Sequence, residues 1–257
     1  MNKVSTLIQQ GGPQRRPDNC AAHGAFESIC YFAGAWTRCP ACTAEAQRRE
    51  EAAEAQRKLD LRIAAWERRL GHAGIPERFR DRTLDTYLAA TPGQRAALEF
   101  ARHYADDFDA VLATGRSALF VGKFGTGKTH IAVGIALQIM RARRTALFIT
   151  TVRALRRVKD TWSRDSKETE SQAIASLVFP DLLILDEVGV QFGSEAEKII
   201  LFDVLNERYE KRKPTLLLSN LPTTDVRAFL GERIYDRLRE DGGQFVAFDW
   251  ESHRGKP

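Results

Sequence analysis

The segment Gly122–Thr129 restricts the possible folds of this chain more than any other segment. It reads GKFGTGKT and matches the pattern G-x-x-x-x-G-K-[ST] at every required position. An apolar run, Ala118–Val121, precedes it, and a run with helical character, His130–Arg141, follows it. In that setting the glycines let backbone amides surround a polyphosphate, Lys128 reaches its β and γ phosphates, and the Thr129 hydroxyl binds Mg²⁺. The sequence therefore predicts a nucleoside triphosphate site. Its predicted contacts are Gly122, Lys123, Phe124, Gly125, Thr126, Gly127, Lys128, Thr129 and His130.

Helix and strand patterns alternate from about residue 94 to the C-terminus. A helix is predicted over Gln94–Phe108. The strand candidates are short apolar runs: Ala118–Val121, Ala146–Thr150, Leu182–Leu185, Thr215–Ser219 and Phe245–Phe248. Such alternation predicts an α/β domain with a parallel sheet that is covered by helices on both faces. A chain of 257 residues is long enough for one such domain and a small additional module.

Two carboxylates end the apolar run LLILDE, which begins at Leu182. Ligands of open parallel sheets bind at the carboxyl ends of the strands, so Asp186 is expected near the Mg²⁺ held by Thr129. Glu187 is then placed to orient and polarise the attacking water. An acidic strand-to-loop turn without a ligand is the alternative.

Polar residues further along the chain have two interpretations each. Asn220 follows an apolar strand and either senses the γ-phosphate or starts a turn ahead of Pro222. Arg233 and Arg237 are four residues apart and share a helix face. An arginine on that face either stabilises transition-state charge in a neighbouring subunit or forms solvated ion pairs on its own helix.

All four cysteines lie between Cys20 and Cys42. Cys20 and His23, and then Cys39 and Cys42, form the spacing C-x₂-H-x₁₅-C-x₂-C, which is typical of zinc ribbons. The sequence predicts one Zn²⁺ held by these four side chains, and metal binding supplies folding energy that so short a segment lacks. Cys30 is the alternative fourth ligand in place of His23. Reduced cysteines without metal are the alternative to a zinc site.

The segments that flank this cluster are polar. Residues 1–19 are predicted to be disordered, residues 20–42 to form the zinc-binding segment, and residues 71–93 to form a linker before the domain at 94–257. Residues 43–70 contain no Gly or Pro and predict one long helix, with Thr43 as N-cap and Gly71 just past its end. Its narrow apolar stripe consists of Leu59, Ile63, Trp66 and Leu70.

Composition and charge restrict the location and the partners of the protein. No apolar run approaches the roughly 20 residues of a membrane span, and the first residues lack the apolar core of a signal peptide. These features predict a cytoplasmic protein without membrane contact. The net charge of +5 is compatible with nucleic-acid binding but does not require it.

Together these motifs resemble the AAA+ ATPases of the DnaC type, the replicative helicase loaders of bacteria and phages. The resemblance covers about Pro76–Arg254 and is most specific in four segments: IPERFRDRTLDTY (Ile75–Tyr87), DEVGVQ (Asp186–Gln191), LGERIYDRLRE (Leu230–Glu240) and FDWESHR (Phe248–Arg254). It implies that the nucleotide is ATP and that the domain is an AAA+ P-loop NTPase core with little or no C-terminal lid.

The resemblance also implies a role for each matching polar residue. Asp186 corresponds to the Walker B aspartate and Glu187 to the acid that activates water. Asn220 corresponds to the sensor 1 residue. Arg237 corresponds to the arginine finger, with Arg233 beside it in the same motif. Arg254 corresponds to the sensor 2 arginine.

In this family single-stranded DNA lines the inside of an ATP-dependent spiral of subunits. The helix predicted over Thr151–Arg164 corresponds to part of that lining. Its expected contacts are Trp162, Arg153 and Arg157. Further along the chain, Ser194 matches a DNA contact of the family. Trp162 also shares a helical face with Leu155 and Val158, so core packing is the alternative. Ala196 stands where the bacterial loader has an aromatic residue.

The cysteine segment resembles the N-terminal CxxHG…CPxC segments of phage-type loaders. Because loaders bind the helicase through their N-terminal region, residues 20–70 are expected to dock a replicative helicase of the DnaB type. The nearest alternative is an IstB-like transposition helper ATPase, which shares the core. A small-molecule phosphotransferase and a zinc-dependent DNA-binding module are more distant alternatives, because neither explains all of the motifs.

Overall fold

The computed structural model describes residues 12–32, 34–70, 74–190 and 194–253, and the side chains of Phe32, Arg62 and residues 65–70 are outside that description. The chain divides into two compact units, Met1–Ala65 and Trp66–Pro257. Several predictions fall outside the described residues. These are the disorder of residues 1–11, the helix-ending role of Gly71, the side chains of Trp66 and Leu70, and the role of Arg254.

The first unit contains a small antiparallel sheet followed by a long helix. Strand β1 is Gln14–Cys20, β2 is Gly24–Phe32 and β3 is Ala35–Trp36, in the order β1-β2-β3. Helix α1 is Pro40–Leu70. Gly24 has φ +77, which supports the tight turn that pairs Cys20 with Gly24.

Two predictions about this unit are wrong. Disorder was predicted through residue 19, but Gln14–Cys20 is a strand because its backbone pairs along β2. Pro17 is tolerated there because β1 is an edge strand. The helix begins at Pro40 and not after Thr43, since Pro fits the first helical turn. Thr43 lies inside that turn, where its N–H and its hydroxyl both donate to the carbonyl oxygen of Cys39.

The second unit contains the helices and strands of an α/β domain. Its helices are α2 Pro92–Asp106, α3 Phe108–Thr114, α4 Lys128–Arg141, α5 Thr151–Lys159, α6 Glu170–Val178, α7 Glu195–Glu210, α8 Thr223–Leu230 and α9 Glu232–Arg237. Its strands are β4 Ala118–Gly122, β5 Ala146–Thr150, β6 Leu182–Asp186, β7 Thr215–Ser219 and β8 Gln244–Phe248. Each strand predicted from the sequence is present, within one residue at either end.

The five strands form one parallel sheet in the order β5-β6-β7-β4-β8. Alternate residues of each central strand enter opposite cores: Phe120 and Ile184 join one cluster, Leu119 and Leu183 the other. A sheet that is buried on both faces needs such continuously apolar strands. The prediction of an α/β domain with a parallel sheet between helices is confirmed.

Helices α2, α4 and α5 have boundaries that differ from those predicted, and α4 begins at Lys128 instead of His130. Helix α2 begins at Pro92, two residues earlier than predicted, because Thr91 and Gln94 form a capping box ahead of it. Helix α5 ends at Lys159, and a short 3₁₀ turn over Asp160–Trp162 replaces its predicted continuation. There the Thr161 hydroxyl donates to the Val158 carbonyl oxygen at 2.6 Å, and such side-chain bonds compete with helical ones.

Every helix among the described residues is too short or too polar to span a bilayer.

Candidate functional site: a phosphate-binding loop and a separate cysteine cluster

The phosphate-binding loop connects β4 to α4, and two of its glycines are required by close contacts. Gly122 has φ +147, and a Cβ atom there would lie 2.1 Å from the carbonyl oxygen of Phe248. Gly127 has φ +94, and a Cβ atom there would lie 2.6 Å from the Tyr87 ring. Both the backbone angles and the lack of space exclude larger residues at these positions. The G-x-x-x-x-G pattern is therefore a structural requirement of this loop.

Lys128 folds back onto the loop that precedes it. Its ammonium group donates to the carbonyl oxygens of Gly122 and Lys123, each at 2.7 Å, and the residue is 6% exposed. The Thr126 hydroxyl also donates to Lys123, at 2.9 Å. The carbonyl oxygens of Gly122 and Lys123 thus stabilise the loop conformation, and neither residue lines the cavity. The later residues of the loop line the cavity in front of it.

Thr129, in the first turn of α4, contacts the acidic end of β6. Its hydroxyl donates to Asp186 Oδ2 at 2.9 Å, and the Glu187 N–H donates to Asp186 Oδ1 at 2.7 Å. Burial raises the pKa of Asp186, while the bonds from Thr129 and Glu187 and the charge of Lys128 oppose that rise. Thr129 and Asp186 supply two hard oxygen ligands of the kind that Mg²⁺ prefers. The donor set therefore fits the predicted magnesium site.

Glu187 adopts a strained backbone conformation at the edge of the same cavity. Its φ is +60, a region that costs free energy for a residue with a side chain. The next residue, Val188, is held at both ends: its N–H donates to Leu218 at 2.9 Å, and its carbonyl oxygen accepts from Ser219 at 2.7 Å. These bonds attach the loop after β6 to the end of β7, next to Asn220. The sheet thus brings both predicted catalytic side chains to the phosphate loop.

The cavity in front of the loop has a volume of about 420 Å³. Its lining is Arg78, Phe79, Arg82, Phe124, Gly125, Thr126, Gly127, Lys128, Thr129, His130, Asp186, Glu187 and Asn220. Arg78, Phe79 and Arg82 were not predicted individually, although they lie in the Ile75–Tyr87 segment that carried the resemblance. His130 contacts that segment, since its Nε2 lies 2.9 Å from the Thr83 carbonyl oxygen and its ring packs edge-on against Tyr87. Burial lowers the pKa of His130.

Arg233 and Arg237 do not line the cavity of their own chain. Arg237 donates a hydrogen bond to the side-chain oxygen of Asn206, and its guanidinium lies 4.5 Å from the centre of the Tyr209 ring. Arg233 lies 5.4 Å from the centre of the Phe202 ring. Helix α7 therefore orients both arginines away from the nucleotide site of their own subunit.

The residues predicted to contact DNA have different environments. Trp162 is 53% exposed, and its indole N–H donates to Glu170 at 2.6 Å, so the alternative of core packing with Leu155 and Val158 is wrong. Ser194 caps α7 by accepting from the Glu197 N–H. The other two candidates, Arg153 and Arg157, lie on α5.

Helix α5 presents arginines to a second cavity, of about 370 Å³. Arg157 is half-buried there, with both oxygens of Glu168 at 3.0 Å and the Ser176 hydroxyl at 3.0 Å. Arg153 and Arg156 line the same cavity and are exposed. Arg156 was not among the predicted DNA contacts, and Arg157, which was, forms an ion pair with Glu168.

In the first unit, Cys20, His23, Cys39 and Cys42 form a compact cluster with all ligand atoms within 4.8 Å of one another. His23 Nδ1 lies 3.7, 3.8 and 3.3 Å from the sulfurs of Cys20, Cys39 and Cys42, and the Cys20 and Cys42 sulfurs are 3.5 Å apart. Ligands of a tetrahedral Zn²⁺ site are separated by about 3.5–3.8 Å. The donor set and these four separations are compatible with a zinc site.

His23 is the histidine of this cluster, and Cys30 does not belong to it. The other ring nitrogen of His23, Nε2, lies 3.0 Å from a carboxylate oxygen of Glu45 on α1. A carboxylate in that position fixes the ring orientation of a metal-binding histidine. A backbone hydrogen bond from Ala22, then bonds from His23 and Cys42, lower the pKa of Cys20 to about 6, while the bond to Cys20 raises the pKa of Cys42 to about 11.

Comparisons with known proteins show the family to which the chain is related. The sequence profile of the family described as IstB-like ATP binding protein matches residues 110–255. The replicative helicase loader DnaC of Escherichia coli is 34% identical over 195 residues, which cover 76% of this chain and 78% of DnaC. The Escherichia coli protein YdaV, described as uncharacterised, is 29% identical over 245 residues, 92% of this chain and 95% of YdaV.

A crystal structure of the DnaC helicase loader has the same fold as the second unit. It aligns with a TM-score of 0.60 at 23% sequence identity, over 67% of this chain and 99% of that chain. The resemblance to the DnaC-type loaders that the motifs predicted is confirmed, and so is the AAA+ P-loop fold.

Proposed function

The chain belongs to the family of the IstB-like ATP-binding proteins and DnaC helicase loaders, and we propose that it is an ATP-dependent loader of a replicative DNA helicase. The observation that carries this proposal is the 34% identity to DnaC over most of both chains, together with an assembled phosphate site. In this proposal ATP binding holds the loader in its assembled state, and hydrolysis releases the helicase.

Five side chains around the cavity, together with the loop amides, have distinct parts in the proposed hydrolysis. The loop amides and Lys128 bind the phosphates, and Thr129 and Asp186 hold Mg²⁺, which supplies positive charge to the phosphate oxygens when bound. Glu187 accepts a proton from the attacking water, and Asn220 orients that water or the γ-phosphate. The positive φ of Glu187 supports this role, because strained backbone is concentrated at functional sites.

We propose that Arg237 completes the active site of a neighbouring subunit, with Arg233 beside it. Support comes from the position of Arg237 outside the cavity of its own chain and from its fixed orientation against Tyr209 and Asn206. An arginine supplied in trans makes hydrolysis depend on assembly. The active species is then an oligomer, for which we propose a spiral around single-stranded DNA.

Single-stranded DNA is proposed to bind along α5 and the following turn. The exposed ring of Trp162 offers a surface on which a base stacks, and Arg153 and Arg156 offer charge to the phosphates. Ser194 remains a candidate contact as an exposed hydroxyl at the start of α7. Arg157 supports this surface through its ion pair with Glu168, and it does not need to contact DNA directly.

The first unit is proposed to bind Zn²⁺ and to dock the helicase. Cys20, His23, Cys39 and Cys42 hold the ion, which supplies folding energy to the small sheet when bound. Leu59 is 43% exposed on α1 and belongs to the apolar stripe that is proposed to contact the partner.

The proposed docking is tested by co-purification with a DnaB-type helicase in the presence of ATP. The full chain is expected to retain the helicase, and a chain that lacks residues 1–70 is expected to lose it while still binding ATP. Failure of the full chain to bind any replicative helicase would contradict the loader function.

A transposition helper ATPase is the second candidate, because the matching family profile is described as IstB-like. The two candidates share the ATPase core and differ in the partner. Stable binding to a transposase, with no binding to a helicase, would favour the second candidate.

A further inference from the structure

Two donors from outside the phosphate-binding loop converge on one carbonyl oxygen of that loop. The indole N–H of Trp250 donates to the Thr126 carbonyl oxygen at 2.8 Å, and the Tyr87 hydroxyl donates to the same oxygen at 3.3 Å. A third donor, the backbone N–H of His253, bonds to the adjacent carbonyl oxygen of Gly125 at 3.0 Å. Both aromatic side chains are buried, so water does not compete strongly for these bonds.

The donors are themselves held firmly in place. The Trp250 ring packs 4.9 Å from the ring of Phe248, which ends β8 beside β4. The imidazole of His253 lies 2.7 Å from the amide nitrogen of Gln94, a buried residue in the first turn of α2. The segment 249–253, which we call the C-terminal strap, is thus attached to the helix and strand that flank the loop.

Because the loop peptides are trans, the hydrogen bonds to the Gly125 and Thr126 carbonyl oxygens also determine where the following N–H groups point. In a trans peptide unit the C=O of one residue and the N–H of the next point in opposite directions. Fixing the Thr126 carbonyl toward Trp250 and Tyr87 therefore directs the Gly127 N–H to the other side. In the same way, the bond from the His253 N–H to the Gly125 carbonyl oxygen directs the Thr126 N–H away from His253. Thr126 and Gly127 both line the cavity.

A hydrogen bond to a carbonyl oxygen also polarises its peptide group. The N–H of the same peptide then becomes a stronger donor, since bonds in such chains reinforce one another. The loop binds phosphate through these N–H groups. The orientation of the N–H groups and their polarisation therefore both raise the affinity for phosphate.

We propose that Trp250 and Tyr87 are positioning residues for the phosphates, which act through the Thr126 carbonyl and keep the loop amides aimed into the cavity before the nucleotide arrives. This inference rests on the proposed nucleotide binding. The affected amides belong to the loop and not to the γ-phosphate machinery at Asp186 and Glu187. The affinities for ADP and for a triphosphate are therefore raised by similar factors.

The test is Trp250→Phe, which keeps an aromatic ring against Phe248 and removes the indole N–H. Calorimetric titration of the full chain with ADP and with a non-hydrolysable ATP analogue is expected to show both dissociation constants raised about fivefold to tenfold. Tyr87→Phe is expected to have a smaller effect, because its bond is longer. The double variant is expected to lose more than the product of the two effects, because either donor alone still holds the shared acceptor when the other is removed.

Tyr104→Phe is the matched control. The Tyr104 hydroxyl also donates to a backbone carbonyl, that of Arg116 at 2.8 Å, but it lies outside the nucleotide cavity. This variant is expected to lose thermal stability and to keep the wild-type affinities. Wild-type nucleotide affinity in a folded Trp250→Phe protein would overturn the inference.

Two further outcomes separate failure of this inference from failure of the proposed nucleotide binding. If Trp250→Phe does not fold, Tyr87→Phe carries the test, and an unchanged affinity in that variant would overturn the inference. If the wild-type chain binds neither ligand, the proposed nucleotide function fails instead.

Discussion

The Thr129 hydroxyl donates a hydrogen bond of 2.9 Å to Asp186 Oδ2. This bond joins the first turn of α4 to the carboxyl end of β6. Neighbouring ligands of an octahedral Mg²⁺ site are also about 2.9 Å apart. The two side chains therefore have the separation that a shared magnesium ion requires. Fifty-seven positions of sequence separate them, and the sheet brings them together.

Asp186→Asn is expected to stabilise the metal-free protein and to remove its response to Mg²⁺. Burial raises the pKa of the Asp186 carboxyl group in the folded protein above its value in the unfolded chain. The folded protein therefore binds a proton at Asp186 more tightly than the unfolded chain does, and it loses stability as the pH rises from the unfolded to the folded pKa. The asparagine variant has no such loss. Thermal unfolding at pH 7 with ATP should show a higher midpoint than wild type without Mg²⁺ and no increase when Mg²⁺ is added. Equal responses of both proteins to Mg²⁺ would contradict the assignment.

Glu187→Gln is expected to bind ATP and to hydrolyse it at least about 100-fold more slowly. Glutamine keeps the size of the side chain but cannot accept the proton of the attacking water. Single-turnover hydrolysis gives the rate, and equilibrium titration gives the affinity. Hydrolysis at the wild-type rate would remove Glu187 from the mechanism.

Arg237→Ala is expected to abolish ATP turnover, and mixing it with Glu187→Gln is expected to restore part of that turnover. The first variant keeps an intact cavity, and the second supplies an intact arginine to its neighbour. Arg239→Ala, an exposed arginine on the same stretch, serves as control and should retain activity. If the mixture recovers no ATP turnover, Arg237 does not act on the active site of a neighbouring subunit, and the proposal is contradicted.

Cys42→Ser is expected to lose tightly bound zinc, whereas Cys30→Ser is expected to keep it. Cys42 contributes a sulfur to the four-ligand cluster, and Cys30 stands outside it. The zinc content of the purified proteins, measured after brief exposure to a chelator, distinguishes the two. Equal zinc retention in both variants would mean that the ligand set is different.

Trp162→Ala is expected to weaken single-stranded DNA binding by roughly 1–3 kcal/mol, the value of one base stacked on an aromatic ring. Trp162→Phe should retain most of the affinity because it keeps a stacking surface. Fluorescence anisotropy of a labelled oligonucleotide at fixed salt measures both. If the alanine variant binds DNA as tightly as wild type, the DNA path lies elsewhere on the protein.

The phosphate loop, the acidic pair and the strands of the second unit could be predicted because their patterns are local. GKFGTGKT and LLILDE each contain the residues that determine their own conformation. Strand β1 could not be predicted in this way, since its residues are polar, include Pro17, and become a strand only by pairing with β2.

Contacts between distant residues could not be predicted from local patterns. The bonds from Tyr87 and Trp250 to Thr126 span 39 and 124 positions, and neither aromatic residue belongs to a nucleotide motif. Arg208 is a second example, because an arginine in a helical pattern predicts an exposed side chain. It is fully buried, and its guanidinium donates to carbonyl oxygens that include those of Leu177 and Pro214.

Helicase loading onto a closed circle of single-stranded DNA is the most direct measurement of the proposed function. Unwinding of an annealed strand by a DnaB-type helicase is expected only with this protein and ATP together, and it is expected to be lost with Lys128→Ala. Unwinding that is equally fast without the protein, or with Lys128→Ala in its place, would contradict ATP-dependent loading.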